Sequence, residues 1–312
     1  MFVTVAAVLV GVALLAFAAD QFVLGAARVA LLRQLPPLLV GVVIIGFGTS
    51  SPELLVSAIA AFGDRPEVAI GNIVGSNLVN LSLLLGVGAI IAPIAVSSAT
   101  VRREAPAAVA ATIAFAVVVQ GGIGPWEGGL LLLALALVLW TIARPGSGSD
   151  PLADDAEELA DSGNHDLRVE VGRTVLGLVG TVAGANLLLW GALDLADRAG
   201  LAEGFVGATL VAIGTSLPEL VTVVQSARRR ESDLIVGNLL GSNLFNALGV
   251  GGVIGLIGIS EVDDRALTTV ATSAAVVVAA IALLAMMTGR TVRRWEGVAL
   301  VVVYLALVPL LA

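Results

Sequence analysis

The sequence contains one long segment twice, 166 residues apart. The first copy, 46–80, reads GFGTSSPELLVSAIAAFGDRPEVAIGNIVGSNLVN, and the second, 212–246, reads AIGTSLPELVTVVQSARRRESDLIVGNLLGSNLFN. From Gly48 and from Gly214 onward the copies agree at 14 of 33 positions without a gap. A chain with such a repeat is expected to fold as two similar halves, so an interpretation of one copy must also hold for the other.

The composition indicates a membrane environment. Hydrophobic residues make up 58% of the 312 residues and charged residues 13%, against about 45–50% and about 25% in soluble domains. Apolar runs of roughly 17–25 residues can cross a bilayer as helices, and the sequence has ten. They lie near residues 2–19 (extending to about 31), 36–62, 67–94, 105–121, 126–143, 172–193, 204–227, 233–259, 266–287 and 296–312. We therefore expect an all-α polytopic membrane protein with ten transmembrane helices.

The repetition extends beyond these two segments, because PWEGGLLLLALALVLW near the end of the first half corresponds to RWEGVALVVVYLALVPL near the end of the second, so each half takes in five of the spans. The expected domains are 1–143, a first five-helix repeat, and 172–312, a second one, joined by an acidic cytoplasmic linker at 144–171. Because five is odd, the second repeat enters the membrane upside down relative to the first. Inverted repeats of this kind build many secondary transporters, in which broken helices from both halves meet near the bilayer midplane around the substrate.

Each copy carries a carboxylate within an apolar span, Glu53 in the first and Glu219 in the second. An acidic residue at the centre of a spanning helix costs roughly 2.5 to 3.5 kcal/mol on insertion scales, so such residues usually face a partner, an ion or a water-filled cavity. The same residue at the same place in both halves predicts that the pair forms one functional site.

The residues just before each carboxylate predict a broken helix. Pro52 removes one backbone donor and clashes with the carbonyl of Gly48, so the helix is expected to break at Thr49 and Ser50. Carboxylate, hydroxyl and freed carbonyl oxygens are the ligands that hard cations such as calcium prefer. The second copy repeats the arrangement with Thr215, Ser216, Pro218 and Glu219.

A polar stripe follows on the next span. Asn72, Ser76 and Asn80 are spaced four apart and therefore share one helix face. Gly71 and Gly75 flank the stripe, and close helix packing with serine and asparagine as interhelical hydrogen-bonding groups is the alternative interpretation. The stripe recurs as Asn238, Ser242 and Asn246 beside the second glutamate, which favours a functional role.

Arginine predicts the orientation. All sixteen basic residues are Arg, and with the N-terminus outside only Arg65, Arg198 and Arg265 face away from the cytoplasm. The positive-inside rule therefore predicts a multi-pass protein of the cell membrane with both termini extracytoplasmic and the linker 144–171 cytoplasmic. The linker supplies most of the net charge of −8, and we interpret it as a solvated connector.

Several classes of site find no support in the sequence. Cysteine is absent, which excludes disulfides, thiolate metal sites and cysteine nucleophiles. No histidine lies within the spans, and no HExxH or GxSxG motif occurs in a suitable context. We therefore expect neither an enzyme nor a bound cofactor, and no nucleic-acid partner; the oligomeric state stays open.

The motif pairs GTSSPELLVS with GNIVGSNLVN and GTSLPELVTV with GNLLGSNLFN resemble the two alpha-repeats of the sodium/calcium exchanger branch of the calcium/cation antiporter superfamily, in a prokaryotic member. The similarity covers nearly all 312 residues, including the ten spans, the inverted halves and the central loop. The resemblance implies that the protein exchanges sodium for calcium across the bilayer by alternating access and in the direction of calcium extrusion. It also implies three sodium ions per calcium, which makes the exchange electrogenic.

The resemblance also implies the metal ligands. Glu53 and Glu219 would be the carboxylates shared by calcium and sodium. The other implied ligands are the hydroxyls of Thr49, Thr215, Ser50, Ser216, Ser76 and Ser242, the amides of Asn80 and Asn246, and the carbonyls of Gly46 and Ala212. Some family members carry Asp at the position of Asn246, whereas this chain has Asn in both copies.

Calcium/proton antiport by the same glutamate pair is the alternative. Both carboxylates could carry protons instead of sodium. Proton-coupled relatives typically have an Asn-containing motif where this chain has Gly-Thr-Ser, so the hydroxyl-rich lining favours sodium. Two ionised glutamates balance one calcium or two sodium ions, which suits a site that either ion can fill.

Overall fold

The structure is a computed structural model, and it describes residues 1–33, 50–142, 166–258, 262 and 264–311. These residues are almost entirely helical. The α-helices are α1 Phe2–Leu32, α2 Ser51–Phe62, α3 Pro66–Leu78, α4 Leu85–Ile91, α5 Ser98–Arg102, α6 Glu104–Val118, α7 Pro125–Ile142, α8 Leu167–Ala199, α9 Glu203–Val206, α10 Ala212–Thr215, α11 Leu217–Arg229, α12 Ser232–Leu244, α13 Gly251–Ile257, α14 Thr272–Met287 and α15 Arg294–Leu307. The π-helical segments are π1 Val79–Leu84, π2 Gly207–Val211, π3 Phe245–Val250 and π4 Ala266–Ala271. Two 3-10 turns, Val119–Gly121 and Val308–Leu310, and two short strands, β1 Ile94–Ala95 and β2 Thr291–Val292, complete the elements.

Each of the ten predicted spans contains helix within the described ranges. Six helices there are long and apolar enough to cross a membrane, and the pair Glu203–Thr215 and Leu217–Arg229, bent by 48°, adds a broken span. Of the second predicted span, 36–62, only the part from Ser50 onward lies within the described residues. Of the predicted linker 144–171, residues 144–165 lie outside the described residues.

Helix α8 is longer than its predicted span. It begins at Leu167, whereas the sequence analysis placed the span at 172–193 and the linker up to 171. The physical reason is an N-cap, because the Asp166 side chain accepts a hydrogen bond of 2.8 Å from the backbone N–H of Arg168. The last five residues of the predicted linker are therefore helical.

Helices α1 and α8 pack against each other along their whole lengths in antiparallel fashion. Gly11 faces Leu188 so closely that a Cβ would lie 2.6 Å from the Leu188 nitrogen, and Gly184 faces Leu15 at the same distance. Small residues let helix backbones approach in a bilayer, where packing rather than the hydrophobic effect drives association. We refer to this contact between α1 and α8 as the glycine seam.

Ionic and polar pairs close both ends of the glycine seam. At one end the Thr4 hydroxyl donates to the Asp194 carboxylate. At the other end Arg28 Nη1 lies 3.3 Å from Glu170 Oε1, and Arg173 Nε lies 3.1 Å from Glu170 Oε2. The seam thus joins a helix of the first half to its counterpart in the second.

The two motif helices form the centre of the molecule. In the span Pro66–Ile91, 83% of the apolar window is buried within the protein, and in Ser232–Ile257 it is 78%. The corresponding share is 33–44% in the other four long spans, so those face lipid over more than half of the window. Gly71 and Gly75 lie directly against the backbone of Gly204 and Ala208, which confirms the close packing considered for this stripe.

Both central spans change their helical pitch at equivalent places. Segment π1 lies between α3 and α4, and π3 lies between α12 and α13, 166 residues later. The π-helical turn is rare in proteins, and where it does occur it often lies at a functional site. Asn80 and Asn246 are the second residues of these segments.

A two-stranded ribbon joins loops from both halves at one end of the molecule. Strands β1 and β2 pair antiparallel, with Ile94 opposite Val292 and Ala95 opposite Thr291. The Ala95 N–H also donates to Ser232 Oγ at 3.1 Å. The loops after the third, seventh and ninth spans therefore meet at one end, as the predicted topology requires.

Candidate functional site

The helix breaks position the two glutamates. Ser50 has φ −92° and ψ 9°, and Ser216 has φ −84° and ψ 10°, so both residues leave the α-helical conformation in the same way. A proline is the second residue of the helix that follows, and Glu53 and Glu219 come directly after it in the first turn. The break that the sequence predicted is present after Thr215, and on the side of the first copy it is described from Ser50 onward.

Both carboxylates are completely buried, and their surroundings differ. Ser216 Oγ donates to Glu53 Oε1 at 3.1 Å, a bond that crosses from the second half to the first. Glu53 Oε2 and both carboxylate oxygens of Glu219 have no hydrogen-bond partner among the residues that the structure describes. The ion pairs found in that part of the chain include neither glutamate.

Two buried carboxylates without a basic partner need compensation. A buried charge is tolerated only when it is paired, hydrogen-bonded or bound to a metal ion. The two glutamates belong to one buried region, because Ser216, three residues before Glu219, donates to Glu53, so two ionised groups there would repel. Cations or protons are the compensation that this geometry allows.

Hydroxyl groups from both halves lie next to the carboxylates. Thr215 Oγ1 is 3.1 Å from the carbonyl oxygen of Ala212, 3.2 Å from Asn72 Oδ1 and 3.5 Å from Ser76 Oγ. Ser50 Oγ is buried and has no partner within the described ranges. The broken helices and the polar stripe thus contribute hydroxyls to one region.

Asn72 connects the two broken helices. Its Nδ2 donates to Ser57 Oγ at 2.9 Å and to the carbonyl oxygen of Glu53 at 3.3 Å, while its Oδ1 accepts from Thr215 Oγ1. The equivalent Asn238 Nδ2 is buried and unpartnered in the part of the chain that is described. The position equivalent to Ser57 is Val223, which has no hydroxyl to offer.

A second asparagine group lies where α3 and α12 continue into their π-turns. Asn80 Nδ2 donates to Asn243 Oδ1 at 2.9 Å, and Asn243 Nδ2 donates to the carbonyl oxygen of Asn77 at 3.1 Å. The oxygen of Asn80 and both amide atoms of Asn246 lack partners among the described residues. The sequence analysis missed Asn77 and Asn243, although the triplet Gly-Ser-Asn occurs in both copies.

The predicted ligands differ in how completely the structure describes them. Gly46 and Thr49 lie outside the described residues. The carbonyl of Ala212 already accepts from Thr215 Oγ1 and from the Ser216 N–H at 3.0 Å. The remaining predicted ligands, Glu53, Glu219, Thr215, Ser50, Ser216, Ser76, Ser242, Asn80 and Asn246, are all buried within the helix core.

The ligand set consists of oxygen atoms. No cluster of three or more His, Cys, Asp or Glu side chains occurs in the described part of the chain, so the other oxygens near the two glutamates come from hydroxyl, amide and backbone carbonyl groups. Such oxygens suit hard cations, and calcium takes six to eight of them at about 2.3–2.6 Å. The arrangement can therefore bind and release cations in the middle of the helix core.

Comparisons with known proteins agree with this geometry. The sequence profile of the family described as sodium/calcium exchanger protein matches residues 3–143 and 170–311. The inner membrane protein YrbG of Escherichia coli is 33% identical over 85% of this chain and 83% of its own. The sodium/calcium exchanger MaX1 of Methanosarcina acetivorans is 28% identical over 97% of both chains.

A solved structure matches the fold. A structure of the sodium-calcium exchanger NCX_Mj, soaked with sodium and without calcium, superposes with a TM-score of 0.67 at 28% identity. The match covers 99% of this chain and 98% of the other. It confirms the predicted fold class, an all-α membrane protein of two inverted five-helix repeats with broken helices at the midplane.

Proposed function

The chain belongs to the sodium/calcium exchanger family, and from this membership we propose that it exchanges sodium for calcium across the membrane by alternating access. The family makes it a multi-pass cation/calcium antiporter. The proposal adds the coupling ion, the site and the direction. It also keeps the expected division into repeats at 1–143 and 172–312 with the linker between them.

One observation carries the proposal. Glu53 and Glu219 are fully buried, belong to opposite halves that meet where Ser216 donates to Glu53, and have no basic partner in the described residues. Two negative charges are costly to enclose in a low-dielectric interior unless cations accompany them. Such a carrier converts readily between its inward-open and outward-open conformations when calcium or sodium is bound. The empty carrier converts slowly, because it would have to enclose two unbalanced charges. Exchange requires this difference.

The hydroxyl groups support sodium rather than protons as the coupling ion. A proton on a glutamate needs no further ligand, whereas a sodium ion needs several oxygens around it. Ser216, Thr215 and Ser76 supply such oxygens within hydrogen-bonding distance of one another or of Glu53. We propose as ligands Glu53, Glu219, Thr49, Thr215, Ser50, Ser216, Ser76, Ser242, Asn80, Asn246, Gly46 and Ala212.

The proposed direction is electrogenic calcium extrusion from the cytoplasm. The arginine distribution supports extracytoplasmic termini and a cytoplasmic linker. Sodium is the ion whose inward gradient drives the cycle. Calcium and sodium are the transported substrates, and the lipid bilayer surrounds the apolar outer faces of the helices.

Calcium flux in proteoliposomes tests the proposal. Calcium uptake is measured first under an outward sodium gradient and then under a pH gradient in sodium-free buffer. We expect flux with sodium alone, increased by a membrane potential of the sign that favours net charge movement. Flux with the pH gradient alone would instead make the protein a calcium/proton antiporter that uses the same two glutamates.

Variants of the two glutamates assign the site. Glu53→Gln and Glu219→Gln each remove one of the two charges while keeping size and shape, so calcium flux should fall to the level of empty liposomes. Glu67→Gln, at the start of α3 and outside the pair, serves as the matched control and should retain flux. Wild-type flux in either site variant would contradict the assignment.

A further inference from the structure

One backbone carbonyl fixes the orientation of two buried amide side chains. A carbonyl oxygen can only accept hydrogen bonds, so the group that Asn243 turns toward the Asn77 carbonyl must be its NH2 group. The oxygen of Asn243 therefore points the other way and accepts from Asn80 Nδ2. In consequence Asn80 directs its own oxygen away from Asn243, and this oxygen has no partner in the described residues.

The repeat predicts a mirror image of this relay. Adding or subtracting 166 converts Asn80 into Asn246 and Asn243 into Asn77, so the mirror bond would run from Asn246 Nδ2 to Asn77 Oδ1. Both of these atoms are buried, and neither has a hydrogen-bond partner among the residues described. Asn246 is 0% exposed and Asn77 is 3% exposed, so the bond is missing although both of its members are in the core.

The unmade bond is energetically significant. A buried donor and a buried acceptor without partners each carry a desolvation penalty that a single hydrogen bond between them would remove. The halves of an inverted-repeat transporter alternate between arrangements around a fixed site. The conformation in which Asn246 bonds to Asn77 is therefore the natural mirror of the one in which Asn80 bonds to Asn243.

We propose that Asn243 and Asn77 are positioning residues that alternate. In the conformation described here, Asn243 holds the NH2 group of Asn80 and so presents the Asn80 oxygen to the transported cation. In the mirror conformation, Asn77 holds the NH2 group of Asn246 and presents the Asn246 oxygen in the same way. This inference deepens the proposed function and rests on the assignment of Asn80 and Asn246 as ligands.

A purely structural role is the competing interpretation, because buried asparagines often hold helices together in membranes. The two roles differ in their dependence on the residue that is positioned. A positioning residue matters only while its target has one oxygen and one nitrogen to orient. A carboxylate has an oxygen on both sides, so Asn80→Asp should make Asn243 dispensable for calcium affinity.

The experiment is a double-mutant cycle on calcium affinity. The Kd for calcium is measured by titration of purified full-length protein in sodium-free detergent solution for wild type, N243L, N80D and the double variant. We expect N243L to raise Kd about threefold to tenfold in the wild-type background, as for the loss of one hydrogen bond. In the N80D background the same substitution should no longer raise Kd, because the carboxylate presents an oxygen without help and the Asn243 oxygen facing it can only repel it.

Asn77→Leu is the matched variant. It keeps the backbone carbonyl to which Asn243 donates, so the observed relay survives, while the side chain proposed to orient Asn246 is lost. Its effect on Kd should disappear in the N246D background and persist in the N80D background. An equal effect of N243L with and without N80D, or of N77L with and without N246D, would overturn the proposal.

Controls distinguish a failure of the positioning roles from misfolding of a variant and from a failure of the proposed function. Size-exclusion profiles and melting temperatures establish which variants are folded, and Asn243→Ala and Asn77→Ala replace the leucine variants if those aggregate. Failure of wild type to bind calcium would refute the proposed function itself. Calcium binding by wild type without the crossed pattern would refute only the positioning roles.

Discussion

At the scale of single residues, the exchange of Ser57 for Val223 makes the surroundings of the two equivalent asparagines, Asn72 and Asn238, chemically different. Ser57 gives Asn72 a partner at 2.9 Å, whereas Val223 leaves the equivalent Asn238 nitrogen without one in the described structure. Asn72 in turn contacts the Glu53 carbonyl and the Thr215 hydroxyl. The first half therefore holds its carboxylate segment more firmly than the second.

Replacing Ser57 should weaken this hold. Ser57→Val introduces the residue of the second copy and removes two buried hydrogen bonds, one from Asn72 and a longer one of 3.3 Å to the Ala69 carbonyl, each worth about 0.5–1.5 kcal/mol. We expect a rise of about twofold to tenfold in the KM for calcium, with a smaller change in maximal flux. Thr222→Val is the control, because among the described residues the Thr222 hydroxyl bonds to the carbonyl of Pro218 in its own helix and to no other group. An equal rise in both variants would show that Asn72 does not depend on Ser57.

The sequence predicts which chemical groups the site contains better than it predicts the hydrogen bonds between them. Repetition at 166 residues identified both glutamates and the hydroxyls beside the helix breaks. It could not predict that Asn80 bonds to Asn243 while Asn246 lacks the mirror bond, because asparagine occupies both of the positions concerned in each copy and the sequence carries no information about which of two conformations a molecule adopts. The Ser57 to Val223 difference is visible in the alignment, but its meaning depends on a contact between two helices.

At the scale of elements, the segments π1 and π3 are the feature that the sequence did not predict. Six residues such as VNLSLL or FNALGV look the same whether their turns are α-helical or π-helical, so periodicity cannot distinguish them. Both segments begin one residue before the proposed ligands Asn80 and Asn246. The wider turn changes the direction of these side chains relative to the stripe that a regular helix would form.

Two neighbouring glycines on α7 offer a test of helix packing. A Cβ on Gly128 would lie 2.6 Å from the carbonyl oxygen of Gly252, whereas a Cβ on Gly129 would meet no described atom within 4 Å. Gly128→Ala should therefore destabilise the protein by about 1–3 kcal/mol through overpacking. Gly129→Ala should leave the melting temperature in detergent unchanged or slightly raised, since alanine favours the helix. Equal melting temperatures for the two variants would contradict the contact between α7 and α13.

At the scale of the whole molecule, the sequence predicted an all-helical membrane protein of two inverted halves, and helix is present in each of the ten predicted spans within the described ranges. It placed the start of α8 too late, because hydropathy locates the apolar core of a helix and not the polar turn that caps it. The ribbon of β1 and β2 was not predicted either. Four residues at the ends of spans carry too little pattern to indicate pairing across a separation of almost 200 positions.

The proposed orientation can be measured on single cysteines because the chain has none of its own. Asp197→Cys, in the last turn of α8, should react with a membrane-impermeant maleimide added to intact cells. Glu231→Cys, just before α12, should react only after the membrane is opened. Both positions are exposed, so a failure to react reflects location rather than burial. The reverse pattern would place the termini in the cytoplasm.

The glycine seam has a consequence for biosynthesis. Gly11 lies on a helix that leaves the ribosome long before Leu188, the residue against which it packs, has been translated. Until α8 is inserted, the glycine face of α1 has only lipid or the insertion machinery to contact. The first half cannot complete its own packing, so assembly must wait for translation to pass the linker. A gene divided at that linker would yield a stable protein only where both fragments are made together.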